Sequence, residues 1–204
     1  TGANNTGLGT YALLANTTAS NNTAMGYQSL YSKTTGDSNT GVGFQAGYSV
    51  TTGIENVFMG QVAGYGATGN YNTGVGRAAL YGTGSGSYNS AFGNGALQSN
   101  TTGASNVAVG YNAGAALTTG GINTLIGSLS GDALTIGNSN VAVGYNSLTT
   151  EVAGDRNVAV GYSALAVQTN ASTVDTYNTA VGYAAGGAIT TGIQNTIVGG
   201  LALD

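Results

Sequence analysis

Seven carboxylates, no histidine and no cysteine set the limits of the chemistry this chain could perform. Acid–base catalysis would fall to Asp37, Glu55, Asp132, Glu151, Asp155, Asp175 or Asp204, and the best pair is Asp37 with Glu55, 18 residues apart. Two carboxyl groups flanking one bond are the working parts of glycoside hydrolysis, so a polysaccharide depolymerase is conceivable from this pair. Charges in solvated turns are the plainer reading. Without thiols there is no disulfide framework and no thiolate metal site. No Asp recurs at a fixed place, as the turns of a calcium-binding solenoid require. The stretch Gly82-Thr83-Gly84-Ser85-Gly86 lacks the strand-to-helix setting and the Lys of a phosphate-binding loop. No catalytic residue, metal ligand or cofactor is assigned, and the chain reads as not an enzyme.

Charge excludes further classes. Lys33, Arg77 and Arg156 are the only basic residues against a net charge of −4, which argues against a groove that tracks nucleic-acid phosphates. No apolar run approaches the ~18 residues of a membrane span, and no targeting segment is visible, so no membrane insertion is expected. The opening Thr1-Gly2 reads as the middle of a Thr-Thr-Gly turn, as in a piece of something longer.

Tyrosine is the richer candidate for binding. Tyr31, Tyr48, Tyr65 and Tyr81 recur at intervals of 17, 17 and 16 residues, and Tyr111, Tyr145, Tyr162 and Tyr183 form a second series that Tyr27 and Phe44 anticipate. Two stacked aromatic tracks would follow. They would brace successive coils, fill an interface between chains, or face a cell-surface glycan or receptor.

The Tyr interval belongs to the whole chain. The frame Asn106-Val107-Ala108-Val109-Gly110-Tyr111-Asn112-Ala113-Gly114 has close variants starting at Asn5, Asn22, Asn39, Asn56, Asn72, Asn89, Asn123, Asn140, Asn157, Asn178 and Asn195. Steps between these twelve copies are 17 residues, save one of 16 and one of 21. A fixed short period is the mark of a solenoid. With the Asn as position 0 of each coil, +3 is always apolar, and Val42, Val75, Val109, Ile126, Val143, Val160, Val181 and Val198 are expected to line the core. Position +4 is always Gly, as a corner with positive φ or a close backbone approach demands. Position +7 is always Ala or Ser, and a Thr-Thr-Gly turn commonly follows. With 37 Gly in 204 residues a helical reading fails.

The expected fold is therefore all-β: one parallel β-solenoid of about twelve coils, each with two short strands and two corners. The stacked Asn side chains would form an amide ladder or serve as left-handed turn residues. The 21-residue coil should carry its surplus as a loop within Gln168 to Tyr177. Position +8 repeats Leu, Leu, Gly, Gly, with Leu203 where the last Gly is due, which divides the chain into four-coil modules at 1–71, 72–139 and 140–204. Only the fourth coil of each carries large apolar residues at both +2 and +6: Phe58 with Val62, Leu125 with Leu129, and Ile197 with Leu201. If +3 faces the core, +2 faces away from it, and these pairs become contacts between chains. So Gly-rich a coil is marginal alone, and a homo-oligomer, a three-chain bundle or a larger fibre, would let chains share a core.

Frames such as Asn106-Val107-Ala108-Val109-Gly110 and Asn157-Val158-Ala159-Val160-Gly161 resemble the head repeats of trimeric autotransporter adhesins, in which such a motif recurs once per coil of a left-handed parallel β-roll. Asn178-Thr179-Ala180-Val181-Gly182-Tyr183-Ala184-Ala185-Gly186 is also similar to repeat regions of bacteriophage tail fibres. The likeness covers essentially the whole chain and implies a structural and adhesive fibre segment, extracellular, at the cell surface or on a virion. A different class, ice binding, would use the Thr ladder of the Thr-Thr-Gly turns, which is interrupted at Gly84-Ser85, Ile136 and Val152-Ala153.

Overall fold

Twelve three-residue strands, from Thr6–Leu8 to Thr196–Val198, form one parallel sheet whose order follows the chain, one strand per coil. This computed structural model describes residues 2–204; Thr1, half of the opening turn, lies outside the described residues. The register lays each repeat on the next, so that Val107, Ala108 and Val109 pair with Thr124, Leu125 and Ile126. The chain is an all-β parallel solenoid.

Each strand stops at the +4 Gly. Its φ lies between 128 and 142° in every coil, and a Cβ on Gly110 would stand 2.5 Å from the Gly127 carbonyl oxygen. Conformation and close approach both require glycine there.

A second strand per coil does not form. From +5 to +10 the chain makes a compact turn with left-handed residues at +6 and +8, such as Gln28 and Leu30 at φ 53 and 47°, and position −1 is left-handed in every coil, from Asn4 to Gln194. Alternating hands winds the backbone too tightly for a strand. Its N–H groups still reach the neighbouring coil: Leu97 donates to the Ala113 carbonyl at 3.0 Å and Ser99 to that of Ala115 at 3.1 Å. Left-handed Leu or Val is strained, and only the stacking of identical turns sustains so many of them.

Within each strand the Asn at 0 and the residue at +2 point inward, while +1 and +3 point out. Ala24, Ala91, Ala108, Ala142, Ala159 and Ala180, all at +2, are wholly buried. At +3, by contrast, Val109 is 37% exposed, Ile126 and Val181 38%, and Val198 71%; Val42, Val75, Val143 and Val160 are half-buried. The expectation that these eight residues line the core is thus reversed by one place in register. The Asn sets the parity: its amide lies inside, so +2 does as well. The interior is also too narrow for a branched side chain in every coil.

That narrowness explains the four-coil pattern. Away from the large +2 residues, Leu at +8 fills the space, as with Leu30, Leu80, Leu97, Leu148 and Leu165, all buried. A large +2 residue fills it over two coils: Phe58 and Leu125 face the +8 Gly of their own coil and of the coil before, and Ile197 that of the coil before alone, Leu203 standing at +8 in its own coil. A Cβ on Gly64 would meet the Phe58 ring at 2.3 Å, and Cβ atoms on Gly114 and Gly131 would meet Leu125 at 2.7 and 2.9 Å. Phe58 and Leu125 are fully buried and Ile197 is 7% exposed. The expected far-face patches are therefore not patches, because Phe58, Leu125 and Ile197 are core residues. Their supposed companions Val62, Leu129 and Leu201 sit at the left-handed +6 position, the first two half-buried and the third exposed.

Candidate functional site

Inside the solenoid the Asn residues form a ladder. Asn106 Oδ1 accepts from the Asn123 backbone N–H and Nδ2, both at 3.0 Å. Asn106 Nδ2 donates to Asn89 Oδ1 at 3.1 Å and to the Gly120 carbonyl at 3.0 Å. Of the two roles open to these residues the ladder is the one adopted; the left-handed residue is the one before.

The 21-residue coil interrupts the ladder, and buried polar residues mend it. Asn157 Oδ1 accepts from Gln168 Nε2 at 3.0 Å and Thr176 Oγ1 at 2.6 Å, while Gln168 Oε1 accepts from Asn178 Nδ2 at 2.9 Å. Ala171, Ser172 and Thr173 bulge outside the sheet as exposed loop. Val174–Asp175 then pairs with Gly154–Asp155 in a separate two-strand bridge, which Arg156 ties by an ion pair to Asp175. Beneath the loop lies Glu151, fully buried. Its Oε1 accepts the N–H groups of Val152, Ala153, Gly154 and Asn170, and Oε2 accepts from Gln168 Nε2 and Asn170 Nδ2. Burial pushes its pKa up, but the hydrogen bonds outweigh burial and hold it below the ordinary value. Nothing in the 17-residue frame pointed to this cluster; its one signal was Glu and Gln at successive +11 positions, Glu151 and Gln168.

Lys33 occupies +11 in coil two, buried, with Nζ on the Gly53 carbonyl. Burial lowers its pKa to about 8, against an opposing pull from Asp37. Its ordinary value is higher in the unfolded chain, so below pH 8 both states are protonated and the full penalty of burying the charge stands. Between about 8 and 10.5 the folded chain sheds the proton first, and stability gains with rising pH. Lys33→Met should therefore raise the melting temperature at pH 7, and this advantage should shrink as pH climbs through that window. Gly53 keeps a donor in the variant, since Asn39 Nδ2 also bonds it at 2.9 Å.

Asp37 and Glu55 do lie on neighbouring coils as the spacing expected, with the Glu55 N–H donating to the Asp37 carbonyl at 3.1 Å. Both are exposed turn residues, and Asp37 Oδ1 accepts from the Ser20 N–H at 2.7 Å, bracing the coil before it.

On the outside, the tyrosine tracks stack as expected. Tyr31, Tyr48, Tyr65 and Tyr81 lie ring on ring at 5.0, 5.0 and 5.3 Å, and Tyr145, Tyr162 and Tyr183 at 5.3 and 5.1 Å. Tyr111 is exposed and outside both stacks. Within a stack the ring faces cover one another, so the tracks present edges and hydroxyls. The Thr ladder is bonded along the stack: Thr101 Oγ1 donates to the Thr118 carbonyl at 3.0 Å, Thr118 to that of Thr135 at 3.1 Å, and Thr135 to that of Val152 at 3.0 Å.

The remaining surface is the outer side of the sheet. Its +3 row is apolar in all twelve coils and its +1 row is Thr, Ser or Val throughout, with no charge in either. No protein-family model matches the chain, and neither the curated proteins nor the solved structures give a match, so the functional reading rests on these surfaces.

Proposed function

We propose that the chain is a structural and adhesive segment of an extracellular or virion-borne fibre, in which three copies pack around an axis through the outer side of the sheet. The supporting observation is the unbroken uncharged row at +1 and +3. At ~4.8 Å per coil it runs the length of a rod of roughly 58 Å, far longer than the isolated apolar spots normal on a monomer. Each coil offers one flat side of this kind, and three such sides closing on an axis leave none in water. The likeness of the frame to trimeric adhesin heads points the same way. The tyrosine edges then face outward, where a glycan or receptor would meet them. Ice binding through the Thr-Thr-Gly turns is the weaker reading, because the first Thr hydroxyl of the turn already donates to a carbonyl of the next coil.

The test is the double variant Val109→Asp, Val143→Asp. Both side chains point out, so the coil should keep its β circular dichroism while native mass falls from about three times 19.9 kDa to a single chain. An unchanged mass would overturn the assignment of this surface.

A further inference from the structure

The +5 aromatic track stops after coil three and the +9 track after coil five. The +5 series runs Phe44, Gln61, Arg77, Asn94 and the +9 series ends Tyr65, Tyr81, Gln98. A cleft of about 430 Å³ opens at the break, lined by Gln61, Val62, Arg77, Ala78, Tyr81 and Gln98. Among the described residues Arg77 is the one free cation: Lys33 is buried on a carbonyl and Arg156 is paired with Asp175. Gln61 and Gln98 also have no side-chain partner, whereas Gln28 and Gln45, one coil apart, bond each other at 2.7 Å. Tyr81 stacks on Tyr65 through one face, and with Gln98 next in its track no ring covers the other. Tyr81 lines the cleft and is 40% exposed.

From this geometry we infer that the cleft binds a carboxylate-bearing sugar. A guanidinium takes a carboxylate through two parallel hydrogen bonds. The exposed part of the Tyr81 ring meets the apolar C–H side of a pyranose, and the two amides donate to and accept from its hydroxyls. A single cation with two neutral amides suits a singly charged, hydroxyl-rich ligand; a polyphosphate or nucleic acid would need several basic residues. The cleft thus supplies a ligand class for the adhesive half of the function proposed above, and rests on that reading. Every lining residue comes from one chain, so binding is expected whether or not the bundle forms, and the Val109→Asp, Val143→Asp variant separates a failure of assembly from a failure of this site.

The probe is a glucuronate-containing oligosaccharide titrated into the full chain by calorimetry, with its neutral methyl ester as control. The acid should bind at least about tenfold more tightly than the ester, and Arg77→Gln should remove that preference. Tyr81→Ser should weaken both sugars severalfold, while Thr119→Ser, on an exposed turn away from the cleft, leaves binding unchanged. Arg77 is exposed and unbonded, so its variant is expected to fold, which circular dichroism checks. Equal binding of acid and ester, no binding of either at millimolar concentration, or binding indifferent to Arg77→Gln would overturn the inference. So would competition by inorganic sulfate at the sugar's own affinity, which marks simple anion attraction.

Discussion

Asn106→Leu is expected to break the stack in two. The substitution leaves the Asn123 N–H and the Gly120 carbonyl with no partner and takes one bond each from Asn89 Oδ1 and Asn123 Nδ2. Asn89, Asn106 and Asn123 are all buried, so water cannot replace what is lost without opening the coil. At roughly 1–3 kcal/mol for each orphaned buried group, the loss is about 4 kcal/mol or more, a large part of the ~5–15 kcal/mol that ordinarily holds a domain folded. Coils in a solenoid contact only their neighbours, so the two halves should uncouple. Chemical denaturation would then show a second, earlier transition; a loss below about 1 kcal/mol in a single transition would mean the ladder is incidental.

Phe58→Ala should be nearly as damaging, by about 3–5 kcal/mol, because Gly47 and Gly64 have no side chains to move into the cavity. The core pattern supplies a rescue. Gly64→Leu alone should also destabilise, since its Cβ would fall 2.3 Å from the Phe58 ring. Together the two changes recreate the arrangement of Ala24 with Leu30 in coil two, where Leu holds the same left-handed backbone at φ 47°. The double variant should recover most of the stability lost by either single one, a coupling readable in a denaturation cycle. If the effects simply add, the four-coil period does not reflect shared volume. The same cycle separates core from assembly, because none of these variants should change native mass once folded.

The sequence carried the fold in its period, and the twelve parallel strands stack at the spacing of the Asn frame. The facing of those strands was legible only in part. Val109 and its equivalents are the larger apolar residues, and hydrophobicity alone assigns them to the core. The deciding residue is the polar Asn, whose amide can be inside only because its copies above and below satisfy it. Read in that order, Ala108 is inside and Val109 outside. Hidden for the same reason was the meaning of Phe58, Leu125 and Ile197, which changes from surface to core with the parity of the strand. The left-handed Leu and Val residues at +6 and +8 carried no signal at all, since those residue types ordinarily avoid positive φ and the tight turn imposes it. Among candidate sites, the Tyr tracks were visible as a spacing, but the cleft beside Arg77 lies where the spacing fails.

That copies meet through the outer side of the sheet is most directly tested by a disulfide, because the chain has no cysteine of its own. Val143→Cys places one thiol in the outward +3 row, and Thr119→Cys places one on an exposed turn. After mild oxidation, Val143→Cys is expected to run as a covalently linked pair of chains on a non-reducing gel and Thr119→Cys as a single chain. Linkage through Thr119→Cys with none through Val143→Cys would contradict the account.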